Sequence, residues 1–147
     1  MHATVAATRT VSDAPILVYD GDCAFCSRSV QFILRHDRQR TVRFAARDGV
    51  EGRAVRQRHP ALLNVDSLIW VETRDGEEHP LVRSDSVIAI AKYLGGGFGV
   101  LGSLGRLVPR ALRDFGYTVI ARVRRRLAFG GEACVMFTPD ERARVLD

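Results

Sequence analysis

Ile16-Leu17-Val18-Tyr19-Asp20-Gly21-Asp22-Cys23-Ala24-Phe25-Cys26 is the stretch on which the fold turns. Four apolar residues rich in strand formers run into a glycine-containing turn. A continuous apolar run of that length fits a strand covered on both faces. The turn then delivers two cysteines, spaced C-x-x-C, onto the first turn of a predicted helix. From Cys23 to about His36 the apolar residues Cys26, Val30, Ile33 and Leu34 recur at helical spacing, and Asp22 stands where an N-cap belongs. A strand that hands a C-x-x-C to a helix reads as a dithiol redox site when a βαβ pattern surrounds it.

The residues downstream supply that pattern. Thr41 to Ala45 reads as a second strand, and a strand, helix and strand in this span make a parallel βαβ unit. Val50 to Arg58 is a weakly amphipathic helix stopped by His59-Pro60. Ser67 to Glu72 is a strand, Asp75-Gly76 a hairpin turn, and His79 to Arg83 the return strand, with Pro80 pointing to a sheet edge. Ser84-Asp85-Ser86 reads as the cap of a helix carrying Val87, Ile88, Ala91 and Leu94, which Gly95-Gly96-Gly97 would end. The order β-α-β-α-β-β-α is that of a thioredoxin-like α/β domain.

Beyond Phe98 the periodicity changes. Val100, Leu101, Leu104, Leu107, Val108 and Leu112 form one helical stripe, and Phe115, Val119, Ile120, Val123 and Leu127 another, with arginines between them. Two amphipathic helices packed on the domain is the expectation. Peripheral contact with an anionic membrane is the sharper alternative. Nucleic acid is not expected as a partner, since no aromatic stacking pattern interleaves with the arginines. Pro139 to Val145 reads as a last short helical piece. The division expected is a flexible leader over 1–14, a dithiol domain over 15–97 and a basic helical extension over 98–147 packed on the same domain.

Composition narrows the class. The 147 residues are 46% hydrophobic and 27% charged, an ordinary globular balance, with a net charge of +5 carried by arginine and a single lysine, Lys92. The arginine bias suits phosphate or acidic partners but also follows from genome base composition. No apolar run is long enough to span a bilayer, and residues 1–14 lack the apolar core of a secretory signal. Three cysteines without such a signal point to a reducing compartment, hence a cytoplasmic location.

Chemistry assigns the two cysteines different roles. Cys23, at the exposed helix end, has unsatisfied N–H groups and the positive dipole end to favour its thiolate. Cys26, one turn in, is the resolver of a mixed disulfide. Asp20 and Asp22 oppose the thiolate by their charge; Asp20, if buried, would relay a proton to or from Cys26, and Asp22 caps the helix or faces substrate. Phe25 offers an apolar lip to a partner. Cys134 is either a further redox partner or a buried small hydrophobe. His2, His36, His59 and His79 are scattered and suggest no ligand set.

These residues resemble a known family. Tyr19 to Cys26 is similar to the signature of the DCC family (DUF393), named for D-x-x-C-x-x-C, with Asp20, Cys23 and Cys26 matching position by position. The likeness continues through Asp66 to Val71, Arg83 to Ser86, Asp114 to Tyr117 and Cys134. It implies a thioredoxin-like fold and thiol-disulfide oxidoreductase activity, with no organic cofactor. Thioredoxins proper place a cis-proline just before the hairpin's first strand, facing the dithiol. Val65-Asp66-Ser67 stands there instead, so Asp66 or Ser67 is expected to face Cys23.

Other chemistries fit parts of the pattern. The start Ile16 to Asp22 also resembles a haloacid-dehalogenase phosphatase, with Asp20 as nucleophile and Asp22 as general acid on a Mg²⁺-bound phosphate. A structural zinc site would need a second paired ligand set, and none follows the C-x-x-C at the usual spacing. A redox-sensing module would use the same dithiol without turnover. The reading taken forward is dithiol exchange with a protein or small-molecule disulfide.

Overall fold

The computed structural model describes residues 14–21, 24–65, 67–127 and 137–146, with only the backbone for 24–27 and 124–127. Asp22, Cys23, Asp66 and Cys134 therefore lie outside the described residues, as do the side chains of Phe25 and Cys26. The chain runs β1 (Ile16–Tyr19), α1 (Ala24–His36), β2 (Arg43–Ala46), α2 (Val50–Arg58), a 3₁₀ turn (Pro60–Leu62), β3 (Ile69–Arg74), β4 (Glu77–Val82), α3 (Arg83–Leu94), α4 (Gly96–Gly105), α5 (Arg110–Leu127) and α6 (Pro139–Arg142).

The strands form one mixed sheet in the order β2-β1-β3-β4, with β1 parallel to β2 and both β1/β3 and β3/β4 antiparallel. This is the thioredoxin-like arrangement. Alternation along the strands builds two cores, because successive side chains leave a strand on opposite faces. Leu17, Phe44, Leu68 and Trp70 point to one face, where Val30 and Ile33 of α1 and Ala89 and Ile90 of α3 cover them. Val18, Ala45, Ile69 and Val71 point to the other, against Val55 of α2 and Leu62. Both central strands are thus buried on both sides, which is why β1 shows no polar alternation. Pro80 falls on the edge strand β4, as its missing N–H requires.

Three boundaries differ from expectation, each for a physical reason. β2 begins at Arg43 rather than Thr41 because the amides of Thr41 and Val42 both donate to the Tyr93 hydroxyl, at 3.1 and 3.0 Å, instead of joining the ladder. β3 and β4 run on to a tight turn at Asp75-Gly76, both with positive φ, so the hairpin is longer toward its tip.

The third concerns α3. Ser84, Asp85 and Ser86 do not cap it: the helix starts at Arg83, with Val82 as N-cap and no side-chain cap. Ser86 donates internally to the Arg83 carbonyl at 2.6 Å. Ser84 and Asp85 instead hold α5. The Ser84 hydroxyl donates to Asp114, and Asp85 pairs with Arg113 at 3.1 Å and Arg110 at 3.0 Å.

Gly95, at φ +70, does end α3, but Gly96 and Gly97 open α4 rather than a loop. The expectation that α4 buries its leucines also fails. Its packed side is glycine: a Cβ on Gly102 would stand 3.1 Å from the Ala91 Cβ and 3.2 Å from the Ile88 carbonyl. Bare backbone lets α4 lie close on α3, while Val100, Leu101 and Leu104 face outward.

The Asp114 contact predicts a pH response. Its carboxyl is held below the usual aspartate range, chiefly by the Ser84 hydroxyl and secondarily by Arg110, against some desolvation. A lowered carboxyl stabilises above the ordinary aspartate pKa of about 4 and loses that contribution as pH falls through its own lower value. Docking of α5 is therefore expected to be constant from pH 7 to 5 and to loosen only below about pH 4. Hydrogen exchange of α5 amides, corrected for intrinsic rates, should show protection lost there. In Ser84→Ala the loss should begin at higher pH.

The last described residues lace onto the sheet. Thr138 and Glu141 form a reciprocal capping box on α6, after which Val145 bridges Phe44 in parallel with β2. Phe44 N–H donates to the Arg144 carbonyl and Leu146 N–H to the Phe44 carbonyl, both at 2.9 Å. The Arg144 guanidinium lies 5.4 Å over the Phe44 ring, donates to the Val42 carbonyl at 2.9 Å and binds the buried Asp37. Pro139 to Val145 is thus helical only to Arg142.

Candidate functional site

The candidate site lies at the C-terminal end of β1. Tyr19 is the last strand residue and is buried, and Asp20 follows it, partly exposed. The registers fix its neighbours. β1 pairs β2 as Tyr19↔Ala46, and the next step brings Arg47 level with Asp20. The Arg47 N–H extends that ladder to the Tyr19 carbonyl at 2.7 Å, and its guanidinium reaches the Asp20 carboxylate at 3.4 Å. On the other side β1 pairs β3 as Val18↔Ile69, and two further steps bring Ser67 level with Asp20. Asp20 therefore stands at the centre of one end of the sheet, between Arg47 and Ser67.

Helix α1 begins four residues after Asp20, at Ala24, on the same end of the sheet. Cys26 and Phe25 lie in its first turn. Peptide dipoles at a helix start favour negative charge on nearby groups. The structure thus brings Asp20, Ser67 and the first turn of α1, which includes Cys26, to one edge. Ser67 donates its hydroxyl to the Leu68 carbonyl at 3.2 Å.

Arg47 is the residue that sequence reading missed. Nothing in its local pattern marks it, since arginines are frequent in this chain. Only the parallel register of β1 and β2 shows that it meets Asp20. Its position follows from a close approach: α2 folds back so tightly that a Cβ on Gly52 would lie 2.0 Å from the Ala46 carbonyl oxygen and 2.9 Å from that of Arg47.

A sizeable cavity lies elsewhere. It measures about 890 Å³ and is lined by Pro15, Glu72, Arg74, Asp85, Lys92 and Tyr93 among others, at the far end of the sheet from Asp20. Among the described residues no cluster of His, Cys, Asp and Glu is arranged to hold a metal.

Comparison with known proteins gives a consistent result. The family model for DCC1-like thiol-disulfide oxidoreductases matches residues 17–129. The chain is similar to the chloroplastic DCC family protein At1g52590 of Arabidopsis thaliana, 30% identical over 121 residues that make up 82% of this chain and 68% of the relative. It is also similar to a Bacillus subtilis (strain 168) protein, YuxK, 26% identical over 132 residues that make up 89% and 93% of the two chains. No solved structure matches it.

Proposed function

The chain belongs to the DCC1-like thiol-disulfide oxidoreductase family, and we propose that it is an enzyme whose working centre is the Cys23–Cys26 dithiol. What supports this reading is that α1 starts at Ala24, four residues after Asp20 at the end of β1, with Cys26 in its first turn. In the reductive direction the Cys23 thiolate attacks one sulfur of a substrate disulfide. The other substrate sulfur leaves as a thiolate and takes up a proton. The Cys26 thiol gives up its proton and attacks Cys23 Sγ, releasing the second substrate thiol. The substrate gains two electrons and the dithiol loses two; the reverse sequence oxidises a substrate dithiol.

In this scheme Asp20, partly exposed rather than buried, takes the Cys26 proton. Arg47 offsets the negative charge of Asp20, which would otherwise oppose a thiolate three residues away. Asp22, Phe25, Asp66 and Ser67 frame the approach of the substrate, whose class is a protein or small-molecule disulfide or dithiol. A reducing, cytoplasmic setting belongs to the same proposal and rests on the cysteine count alone. The phosphatase reading would set Asp20 on a phosphate and Mg²⁺; its pairing with Arg47 favours the dithiol scheme.

The test is a redox titration of the purified chain in glutathione buffers, with alkylation and mass analysis locating each oxidised thiol. A reversible Cys23–Cys26 disulfide with a potential of roughly −270 to −120 mV is expected. Thiols that stay reduced throughout, or that carry zinc as isolated, would overturn the proposal.

A further inference from the structure

Helix α5 is attached by its polar side. Arg110, Arg113 and Asp114 bind Ser84 and Asp85 of α3. At 100° per residue these three positions span a sector of about 100°. Leu112, Phe115, Val119, Ile120 and Val123 fill a separate arc of about 140° that also takes in Gly116, Arg126 and Leu127. That arc faces away from the domain: Phe115 is 66% exposed, Leu112 60% and Ile120 55%. The outward leucines of α4, and Leu107 in the connecting turn, are exposed as well. Large contiguous apolar surface of this kind marks an interaction site.

Charge selects the partner. α5 carries Arg110, Arg113, Arg122, Arg124, Arg125 and Arg126 against Asp114 alone, a net charge of +5. The whole chain is also +5, so every other residue taken together is neutral. The entire positive excess of the protein thus sits on a helix whose apolar arc is uncovered. A second copy of this chain would set two such helices against each other, with mutual repulsion. An anionic lipid surface meets both features. The apolar arc enters the headgroup boundary while arginines lay their aliphatic stems along it and keep their guanidiniums at the phosphates. No helix among the described residues is long and apolar enough to cross a membrane, so the contact is peripheral.

We infer that α5, aided by the outward face of α4, docks the protein on an anionic membrane surface. The docking face is independent of the dithiol, so its test does not depend on turnover. The full chain is mixed with phosphatidylcholine vesicles containing or lacking 30% phosphatidylglycerol (roughly, a mildly anionic surface) and separated by flotation. Binding to the anionic vesicles only is expected, weakening several-fold between about 0.1 and 0.5 M salt.

Phe115→Ser with Ile120→Ser, both at exposed positions, should lower partitioning at least about tenfold. Arg124→Gln with Arg125→Gln and Arg126→Gln should remove the preference for anionic lipid. Far-ultraviolet circular dichroism on each variant checks that the helices persist. No flotation, equal flotation with neutral vesicles, or flotation unaffected by the Phe115 and Ile120 changes would each overturn the inference. So would sedimentation equilibrium showing a dimer that those same two changes dissolve, which would assign the face to a second copy.

Discussion

Cys23→Ser is expected to abolish thiol-disulfide exchange, lowering the rate at least about 10³-fold, to the uncatalysed background. The nucleophile in exchange is a thiolate, and a serine hydroxyl does not ionise at neutral pH. It also forms no sulfur–sulfur bond for a second thiol to resolve. Serine is close to cysteine in volume, so the fold should not register the change. Cys26→Ser should behave differently, accumulating a mixed disulfide between Cys23 and the substrate, because the first attack proceeds and resolution does not. A disulfide-reduction assay beside non-reducing gels separates the two. Turnover persisting in Cys23→Ser would remove the dithiol mechanism altogether.

The second large effect is structural and comes from a residue with no side chain. Gly52→Ala should destabilise the domain by ~3 kcal/mol, the upper range for forced overpacking. A methyl group there would meet the Ala46 carbonyl oxygen at 2.0 Å and its carbon at 2.9 Å. These are backbone atoms at the C-terminal end of β2, so no side chain can swing away. Either α2 lifts off the sheet, exposing Val18, Ala45 and Val55, or the Ala46–Arg47 segment moves. Each path costs a sizeable part of the 5–15 kcal/mol typical of a folded domain. The urea midpoint should drop by about 1–2 M with little change in slope. Because Arg47 rides on that segment, the surviving folded protein should also show slower alkylation of its thiols. Gly97→Ala, which meets nothing within 4 Å, is the control and should leave the midpoint unchanged or raise it slightly.

What the sequence disclosed and what it concealed divide along one line. Features set by local chemistry were legible: the apolar run of β1, the Asp75-Gly76 turn and the proline of an edge strand. Features set by contacts between distant segments were not. Ser84-Asp85-Ser86 carries the composition of a helix cap, yet two of its members are spent on Asp114, Arg110 and Arg113, some thirty residues on. The leucines of α4 have helical period, but periodicity does not reveal that the opposite, glycine-bearing side is the one that packs. Arg47 is one arginine among many until the register of two strands sets it beside Asp20. Around the candidate site, the residues named in advance lie on one edge of the sheet as far as they are described, and the one omitted reaches that edge from the neighbouring strand.

The segment Arg144–Leu146 gives the molecule a folding order. β2 is otherwise the outer strand of its side of the sheet, with N–H and C=O groups open to any extended chain. Arg144 closes it across 102 positions from Val42, a contact of very high sequence separation that forms only after its long loop has been drawn in. The hairpin and the βαβ unit close over far shorter loops. During synthesis, then, β1, β2 and β3 can pair while the β2 edge still waits for residues not yet made. That interval is when the nascent chain is most open to pairing with another copy of itself.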